Sequence, residues 1–564
     1  MRPMWGAFSI FEITKQPEMK KIFLPLLLCA TLISCKSEKS NEEKEQVDLI
    51  VVNANAYTVD DEFSVVEAFA VKDGKFVATG TAAQINEAYF ADSTVNAEGN
   101  TVLPGFIDAH AHFYGYGLQL QTVDLRGTKS FNEVLSRLLD FQAKEQAKFV
   151  IGGGWDQNDW ENKEFPVRDS LDILFPNTPV AITRIDGHAM LANKAALDAA
   201  GITTSTRVEG GEIEVKNGRL TGILIDNPMA LIDAATPALT QQEKIEALLD
   251  AQSATFGYGL TTVNDAGIDR STIELIDSLQ KEGSLKIRIY AMISNTPENL
   301  DYYLAKGPVK TERLNVRSFK FYGDGALGSR GAALKEPYSD HAGHYGALLS
   351  PIEDFKAIAE RIAKSPFQMN SHAIGDSANS VILKTYAELL EPTLDRRWRV
   401  EHSQVIDGED FKYFSKNIIP SVQPTHATSD MYWAEDRLGA ERIEGAYAFK
   451  KLLDQAGLIA LGTDFPVENV SPFYTFYAAV ARKDLKNYPE GGYQMDQALS
   501  REETLKGMTI WAAYSNFEEE EKGSIEEGKF ADFVILEKNI MEVPENEIPN
   551  IKVSQTYVNG EKVY

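Results

Sequence analysis

Two histidines separated by one residue follow a short apolar segment about one fifth of the way along the chain. Residues 102–107 predict a buried β-strand, and His110 and His112 come directly after it. Side chains at positions i and i+2 of an extended segment point to the same side. The two imidazoles can therefore converge on one point, and imidazole is the commonest metal-ligating side chain. The pair predicts either a divalent metal site or two ordinary histidines at a strand end.

Other residues able to ligate a metal also lie at the carboxyl ends of apolar, strand-like segments. Four of the eight histidines of the chain lie at such ends. A lysine inside an apolar strand is costly to bury unless it is paired or modified. Imidazole and carboxylate together suit zinc, with nickel, iron or manganese as alternatives. Beyond the first pair, the residues at these strand ends are Lys320, His372, His402 and Asp464.

Strand-like segments alternate with helical stretches through the middle of the chain, which is typical of a parallel sheet built from βα units. Eight such strands predict an α/β fold with a TIM-type (β/α)8 barrel, in which chemistry takes place at the carboxyl ends of the strands. Residues 113–250 are too many for one connection and predict an inserted subdomain after the first strand. The predicted strands are 102–107, 259–264, 287–293, 316–322, 367–371, 398–401, 418–422 and 458–462.

Both ends of the chain beyond its first 47 residues are rich in strand patterns. Residues 48–101 and 525–564 each contain a tight hairpin signal, at Asp73-Gly74 and at Asn559-Gly560. We therefore expect one small β-sandwich built from both termini, with residues 102–524 forming the barrel.

The N-terminus resembles a targeting segment. Lys20 and Lys21 precede the apolar residues 22–33, as in a secretory signal peptide. Residues 32–35, Leu-Ile-Ser-Cys, resemble a bacterial lipobox, which implies cleavage before Cys35 and lipidation of its thiol. A plain secretory signal is the alternative interpretation.

The lipobox leads to an expectation about location. Residues 1–34 would be an upstream extension and signal peptide, with Met19 well placed as the start, and residues 35–47 a polar tether. The protein would then be an exported lipoprotein of the bacterial cell envelope, in contact with the membrane only through its lipid anchor.

Composition narrows the range of partners. The 83 acidic and 56 basic residues give a net charge of −27, which argues against a nucleic-acid partner. The only cysteines, Cys29 and Cys35, lie near the N-terminus, so the body of the chain has no disulfide framework and no thiolate metal site. A small-molecule substrate is expected, and a homo-oligomer is left open.

The order His110, His112, Lys320, His372, His402, Asp464 resembles the amidohydrolase superfamily. Additional segments resemble its YtcJ-like branch (amidohydrolase family 3), which includes N-substituted formamide deformylases. These segments are Gly-Gly-Trp-Asp at 153–156, Arg-Ile-Asp-Gly-His at 184–188, Gly-Asp-Gly-Ala-Leu-Gly-Ser-Arg at 323–330, His-Ala-Ile-Gly-Asp at 372–376 and Gly-Thr-Asp-Phe-Pro at 462–466.

The resemblance implies that these six residues surround one or two divalent metal ions, with zinc favoured. Lys320 would be either carboxylated and bridging, or unmodified in a salt bridge beside one metal. Asp464 would accept a proton from metal-activated water and pass it to the leaving amine. The reaction would be hydrolysis of a C–N bond, other than a peptide bond, in a small amide or N-acyl compound.

The pocket walls are less well defined by the sequence. His188 is either a catalytic contact with the substrate or a structural histidine. The substrate-binding candidates are Trp155, Asp156, Arg184, Asp324, Arg330 and His426. A core position for Trp155 and a salt bridge within the 323–330 loop are the plainer alternatives. The alternative functions are a dipeptidase, cyclic-amide hydrolase or esterase on the same centre, and an inactive substrate-binding lipoprotein.

Overall fold

Eight parallel strands form the central sheet, and each pairs with the next along the chain. Past the end of the last strand, the backbone N–H of Asp464 donates to the carbonyl of His110 (2.7 Å), and that of His112 donates to Phe465 (2.8 Å). These bonds join the last strand to the first, and the predicted barrel is confirmed. We number the strands β1 (Phe106–Ala111), β2 (Leu260–Ile268), β3 (Arg288–Ser294), β4 (Leu314–Tyr322), β5 (Gln368–Ala373), β6 (Trp398–His402), β7 (Ile418–Val422) and β8 (Ala460–Leu461).

The computed structural model describes residues 44–184, 187, 189–208 and 211–564. The signal peptide, Cys35 and His188 lie outside the described residues. Among the described residues, no helix is both long and apolar enough to cross a membrane.

Helices cover the outside of the barrel, each with an apolar face turned to the strands. Arg270–Glu282 is an example, because it buries Ile273, Ile276 and Leu279 at helical spacing and ends at Gly283 in the left-handed region, with φ of 81°. The helices after β2 are Arg270–Glu282, Pro297–Lys306, Ile352–Ala363, Asp376–Leu389, Pro424–Asp430, Ala434–Arg442, Phe449–Ala456, Pro472–Ala481, Arg501–Gly507 and Ile510–Ser515.

Two further sheets lie at the ends of the described chain, the first built from its N-terminal end alone and the second from both ends. Their aromatic side chains meet in one core, in which the rings of Phe69 and Phe533 lie 5.1 Å apart. The first sheet contains Lys75–Gly80, Ala68–Lys72, Glu45–Val52 and Tyr89–Asn96, in that order. The second contains Glu561–Lys562, Val553–Val558, Phe533–Leu536, Thr101–Pro104, Asn55–Tyr57 and Val65–Val66. Thr101–Pro104 is separated from β1 only by Gly105, so this sheet fixes where β1 enters the barrel.

The segment between β1 and β2 forms its own sheet with its own apolar core. It leaves the barrel through helix Phe113–Leu120 and returns through Gln241–Phe256. The strands of this sheet, in spatial order, are Gly211–Lys216, Arg219–Asp226, Ala189–Ala192, Val180–Arg184, Val150–Trp155 and Val123–Asp124. Its helices are Phe131–Glu145, Asp169–Leu174, Lys194–Ala199 and Met229–Ala235.

The remaining elements are short. Helix Ala82–Ala88 covers the first terminal sheet, and strand Val309–Lys310 pairs with β4. Single-turn 3-10 helices occupy Gln157–Asp159, Phe411–Tyr413, Ile443–Gly445, Met495–Gln497 and Glu545–Asn550.

A buried ion network lies at the amino-terminal end of the barrel. Glu518 is 3% exposed and contacts the Nζ atoms of Lys310 (2.5 Å) and Lys522 (2.7 Å). Burial raises the pKa of Glu518, but the two ammonium groups outweigh it and lower the pKa to about 2. Close by, Arg288 at the start of β3 donates to both carboxylate oxygens of Asp532, beside the terminal sheet. The network ties the barrel to the segment that leads into that sheet.

Replacing Glu518 with Gln should lower the free energy of unfolding by about 3–5 kcal/mol, because it leaves the buried ammonium group of Lys522 without its counter-charge. The folded pKa of Glu518 lies below its ordinary 4.5, so its stabilisation is present above that pH and is lost as the pH falls toward about 2. Denaturant unfolding over a pH series measures both effects. The control is Glu521→Gln, because that carboxylate contacts Lys310 from a position 40% exposed. Equal stability of the two variants would contradict the role of Glu518.

Candidate metal centre

Three residues from separate strands bring ligand atoms together at the carboxyl end of the barrel. His110 belongs to β1, His402 ends β6, and Asp464 follows β8. One ligand atom from each lies within 4.8 Å of those of the other two, and all three residues are buried. Because the parallel strands end at one rim, residues far apart in the sequence meet there.

The other three predicted ligands surround this group. Nε2 of His112 lies 3.2 Å from Oδ1 of Asp464. The ring of His372 lies 4.4 Å from that of His402, centre to centre. Nζ of Lys320 lies 3.0 Å from Nε2 of His110. The structure thus brings all six residues of the predicted set into one cluster.

Several buried atoms of the cluster form no hydrogen bond within the part of the chain that the structure describes. They are Nε2 of His372, Nδ1 of His402 and Oδ1 of Asp464. Leaving such atoms unpaired is costly, and a bound cation would satisfy two imidazole lone pairs and a carboxylate oxygen at once. The donor set of imidazole nitrogen and carboxylate oxygen suits a divalent transition metal. The residues therefore fit a divalent metal ion.

The protonation states of the cluster histidines also fit a metal site. Burial, reinforced by the nearby Lys320 ammonium, lowers the pKa of His110 to about 4 and that of His372 to about 3. Burial, with the neighbouring His372, holds the pKa of His402 well below its ordinary value. These imidazoles are neutral at pH 7, which is the form that binds a metal.

Lys320 lies inside the barrel with almost no exposure to solvent. Burial lowers its pKa to about 8, and Glu401 and Asp464 offset this only in part. Among the residues that the structure describes, no carboxylate forms an ion pair with its ammonium group. A substantial fraction of Lys320 is therefore a neutral amine near pH 8.

A carboxylate that the sequence did not identify anchors His110. Oε2 of Glu401 lies 2.5 Å from Nδ1 of His110, and Arg399 donates to the same oxygen (3.0 Å). Burial opposes ionisation of Glu401, but Arg399 and His110 hold its pKa well below the ordinary range. The ionised carboxylate accepts a hydrogen bond from Nδ1–H, which fixes the proton on Nδ1 and leaves Nε2 of His110 free to ligate. Polar residues alternating inside the buried strand 398–402 were the signal for this pair.

His426 binds two carboxylates at the mouth of the barrel. Its Nε2 lies 3.3 Å from Oδ2 of Asp464, and its Nδ1 lies 3.2 Å from Oε1 of Glu468. Burial opposes protonation, but hydrogen bonds with Asp464 and Glu468 outweigh it and raise the pKa of His426 to about 10. The protonated ring holds one oxygen of Asp464, so that the other oxygen faces the cluster. Glu468 was also not predicted from the sequence.

The backbone at two of the ligands adopts a conformation that non-glycine residues avoid. His402 has φ of 71° and Asp464 has φ of 63°. Such residues cost about 1–3 kcal/mol each and are held by their surroundings. Here Asp108 accepts hydrogen bonds from the backbone and hydroxyl of Thr463 (3.0 and 2.7 Å), next to Asp464. The strain is consistent with a site whose ligand positions are fixed before anything binds.

Two of the predicted pocket residues lie in the loop after β4 and are engaged in other contacts. The carboxylate of Asp324 accepts hydrogen bonds from the backbone N–H groups of Ala333, Ile374 and Gly375. It also lies 3.7 Å from Nε2 of His372. Arg330 forms a salt bridge with Asp340 in the same loop (2.7 Å).

The remaining candidates lie in the inserted sheet. Trp155 is fully buried in its core, where Nε1 donates to the carbonyl of Ile182. Asp156 pairs with Arg184 (2.7 Å), which also donates to Gln157.

Comparisons with known proteins place these residues in a family context. A family model described as "Amidohydrolase family" matches residues 93–564. "Protein LONG AFTER FAR-RED 3" of Arabidopsis thaliana is 32% identical over 92% of this chain and 91% of its own length. "Putative amidohydrolase YtcJ" of Bacillus subtilis (strain 168) is 31% identical over 90% and 98%. "N-substituted formamide deformylase" of Arthrobacter pascens is 26% identical over 91% and 97%.

Solved structures share the fold along most of the chain. An uncharacterized metal-dependent hydrolase from Pyrococcus horikoshii OT3 superposes with a TM-score of 0.75 and 27% identity, covering 88% of this chain and 99% of the other. A second, from Pyrococcus furiosus, gives 0.73 and 25%, covering 88% and 100%.

Replacing Glu401 with Gln should weaken metal binding by about 10- to 100-fold, because the neutral amide no longer fixes the His110 tautomer. Competition between the metal-free protein and a chromophoric chelator for Zn²⁺ measures this affinity without any substrate. Glu409→Gln is the matched control, because that side chain is 90% exposed. Equal zinc affinity in both variants would show that Glu401 does not position His110.

Proposed function

This chain belongs to the amidohydrolase family, and we propose that it is a metal-dependent hydrolase that cleaves a C–N bond, other than a peptide bond, in a small amide or N-acyl substrate. The observation that carries the proposal is the cluster at the barrel mouth. His110, His402 and Asp464 present converging ligand atoms, and buried atoms of Asp464, His402 and His372 form no hydrogen bond with any other described residue. Imidazole and carboxylate ligands favour zinc.

The chemistry divides between the metal and the protein. A divalent metal ion held by the cluster would supply Lewis acidity, which acidifies a water molecule and polarises the substrate carbonyl. The Asp464 carboxylate accepts the proton of the attacking water and then delivers it to the leaving nitrogen, so that the amine departs neutral. His426 holds Oδ2 of Asp464 at 3.3 Å and so keeps Oδ1 turned toward the ligand cluster.

We further propose that Lys320 is carboxylated in the active protein. Its amine lies buried beside His110 and its pKa is lowered to about 8, so a neutral form is available. The neutral nitrogen forms a bond to the carbon of CO₂ and loses one proton to solvent, which gives a carbamate. The resulting anion would remove the cost of a buried ammonium and add oxygen ligands, sufficient for a second metal ion.

The proposal that a C–N bond is cleaved is supported by one of the relatives. The similarity to an N-substituted formamide deformylase extends over 91% of this chain, and the name of that relative describes cleavage of a C–N bond. A panel of N-acyl amines, primary amides, dipeptides, lactams and aryl esters separates this reaction from peptidase, cyclic-amide hydrolase and esterase activity. Turnover of no panel member by the metal-loaded protein would favour a binding protein.

Replacing Asp464 with Asn should lower kcat by at least about 100- to 10,000-fold, because the amide cannot accept the proton of the attacking water. Metal content should stay close to that of the wild type, because the histidines remain. Initial rates on the amide panel and metal analysis of the same sample give both readouts. Asp301→Asn is the control, since that side chain is 72% exposed. Near-native turnover by the Asp464 variant would refute the assigned role.

We also propose that the protein is an exported lipoprotein anchored through Cys35. The support is the sequence alone, in which charged, apolar and lipobox-like segments succeed one another over residues 20–35. In a bacterial host, the wild type should incorporate radiolabelled palmitate and sediment with membranes, whereas Cys35→Ser should do neither. Equal labelling of both proteins would rule out this anchor.

A further inference from the structure

Gln423 is a buried side chain whose polar atoms have no partner. The residue follows β7 directly and is 2% exposed, yet neither Oε1 nor Nε2 forms a hydrogen bond within the described structure. Other buried glutamines are paired. Gln368 accepts from Tyr290, and Gln404 donates to Tyr447. Burying a carboxamide whose oxygen and nitrogen both lack a hydrogen bond costs free energy, because neither atom regains the bonds that it made to water.

The backbone places Gln423 toward the barrel mouth. Ser421, two residues earlier, faces the barrel interior, where its hydroxyl accepts a hydrogen bond from Arg399 (2.9 Å). Gln423 continues the extended conformation, with φ of −121° and ψ of 97°, so it points to the same side as Ser421. The helix Pro424–Asp430 begins immediately afterwards, and its rigid start fixes this direction.

The neighbouring strands carry the reactive groups. β7 lies between β6 and β8 in the sheet. His402 is the last residue of β6, and Asp464 follows β8 by three residues. The N–H of Gly462 donates a hydrogen bond to the carbonyl of Val422 (3.0 Å). This bond fixes the height of Gln423 along the barrel axis relative to the end of β8. The carboxamide therefore emerges between a ligand of the cluster and the proposed proton acceptor.

We propose that Gln423 binds the amide group of the substrate, an inference that rests on the proposed function. Nε2 donates to the substrate carbonyl, and Oε1 accepts from the substrate N–H. Both bonds to one amide require its N–H and carbonyl to lie on the same side. Secondary amides in open chains are overwhelmingly trans. The preferred substrate class is therefore a primary amide or a lactam, in which the two groups lie on the same side.

The proposal explains selectivity for nitrogen over oxygen. An ester or lactone of the same shape has no N–H, so it leaves Oε1 of Gln423 buried and unpaired. Sites built to bond a polar hydrogen reject the analogue that lacks it, because a buried group is then left without a partner. Thr425, whose buried hydroxyl oxygen is also unpaired, lies two residues further along the same rim.

The test compares 2-piperidinone with δ-valerolactone, a lactam and a lactone of matched ring size, as ligands of the zinc-loaded full-length protein. Saturation-transfer NMR titrations measure binding by the wild type, Gln423→Leu and the control Gln455→Leu, which alters an exposed glutamine. The wild type and control should bind the lactam at least about 10-fold more tightly than the lactone. In Gln423→Leu the lactam should weaken about 10-fold, which brings the two affinities close together.

Thermal unfolding supplies a second readout. Because Gln423 makes no internal hydrogen bond, Gln423→Leu should melt at or above the wild-type temperature while it loses lactam affinity. Gln423→Met keeps the length of the side chain but removes both the donor and the acceptor, and it should also lose the lactam preference. This variant decides the matter if the leucine variant does not fold.

The outcomes separate the two proposals. A wild type without lactam preference, or a Gln423 variant that keeps it, would show that ordered water rather than substrate fills these bonds. Initial rates on the lactam, acetamide and N-methylformamide are measured in parallel. Lactam preference that depends on Gln423 in a protein that turns over no amide would support the binding role and refute the hydrolase function.

Discussion

His110 is the residue on which both the barrel and its site depend. Its carbonyl accepts the Asp464 N–H that helps to join the last strand to the first, and its Nδ1 is held by Glu401 at 2.5 Å. Its Nε2 is left facing Lys320 and Asp464. One side chain and its carbonyl thus tie barrel closure, imidazole orientation and the ligand cluster together. A change at Glu401 would alter the orientation of the His110 ring and therefore its contacts with Lys320 and Asp464.

The interior below His110 supports this arrangement through polar rather than apolar packing. Arg399 binds Glu401, Ser421 and the amide of Asn516, and Asn516 pairs with Asn264 of β2 (2.7 Å). A polar network of this kind is stable only where nearly every member is satisfied. Among the described residues, the atoms that form no hydrogen bond include both amide atoms of the buried Asn370 in β5 as well as atoms of His372, His402 and Gln423 at the barrel mouth.

The barrel and the set of metal ligands could be predicted from the sequence, because both follow from the local pattern of apolar and polar residues. Most barrel strands are short apolar runs, and each ligand lies at or near the end of such a run, so the order of His110, Lys320, His402 and Asp464 could be predicted without tertiary contacts. Pairings across the barrel could not. Glu401 bonds a histidine 291 residues away, and the three backbone N–H groups held by Asp324 come from two different loops. Glu468 and Gln423 carry no motif, and they are identified only by contacts in the fold: Glu468 by its contact with His426, and Gln423 by burial without a hydrogen bond within the described structure.

The cluster at the barrel mouth should bind a divalent metal ion through His110 Nε2, His402 and Asp464. A crystal structure of the zinc-soaked protein with anomalous data at the zinc edge tests this binding. We expect an anomalous peak within about 2.0–2.2 Å of the imidazole and carboxylate ligand atoms, with Glu401 still bonded to Nδ1 of His110. An empty cluster at full zinc loading, or a peak bound elsewhere in the chain, would contradict it.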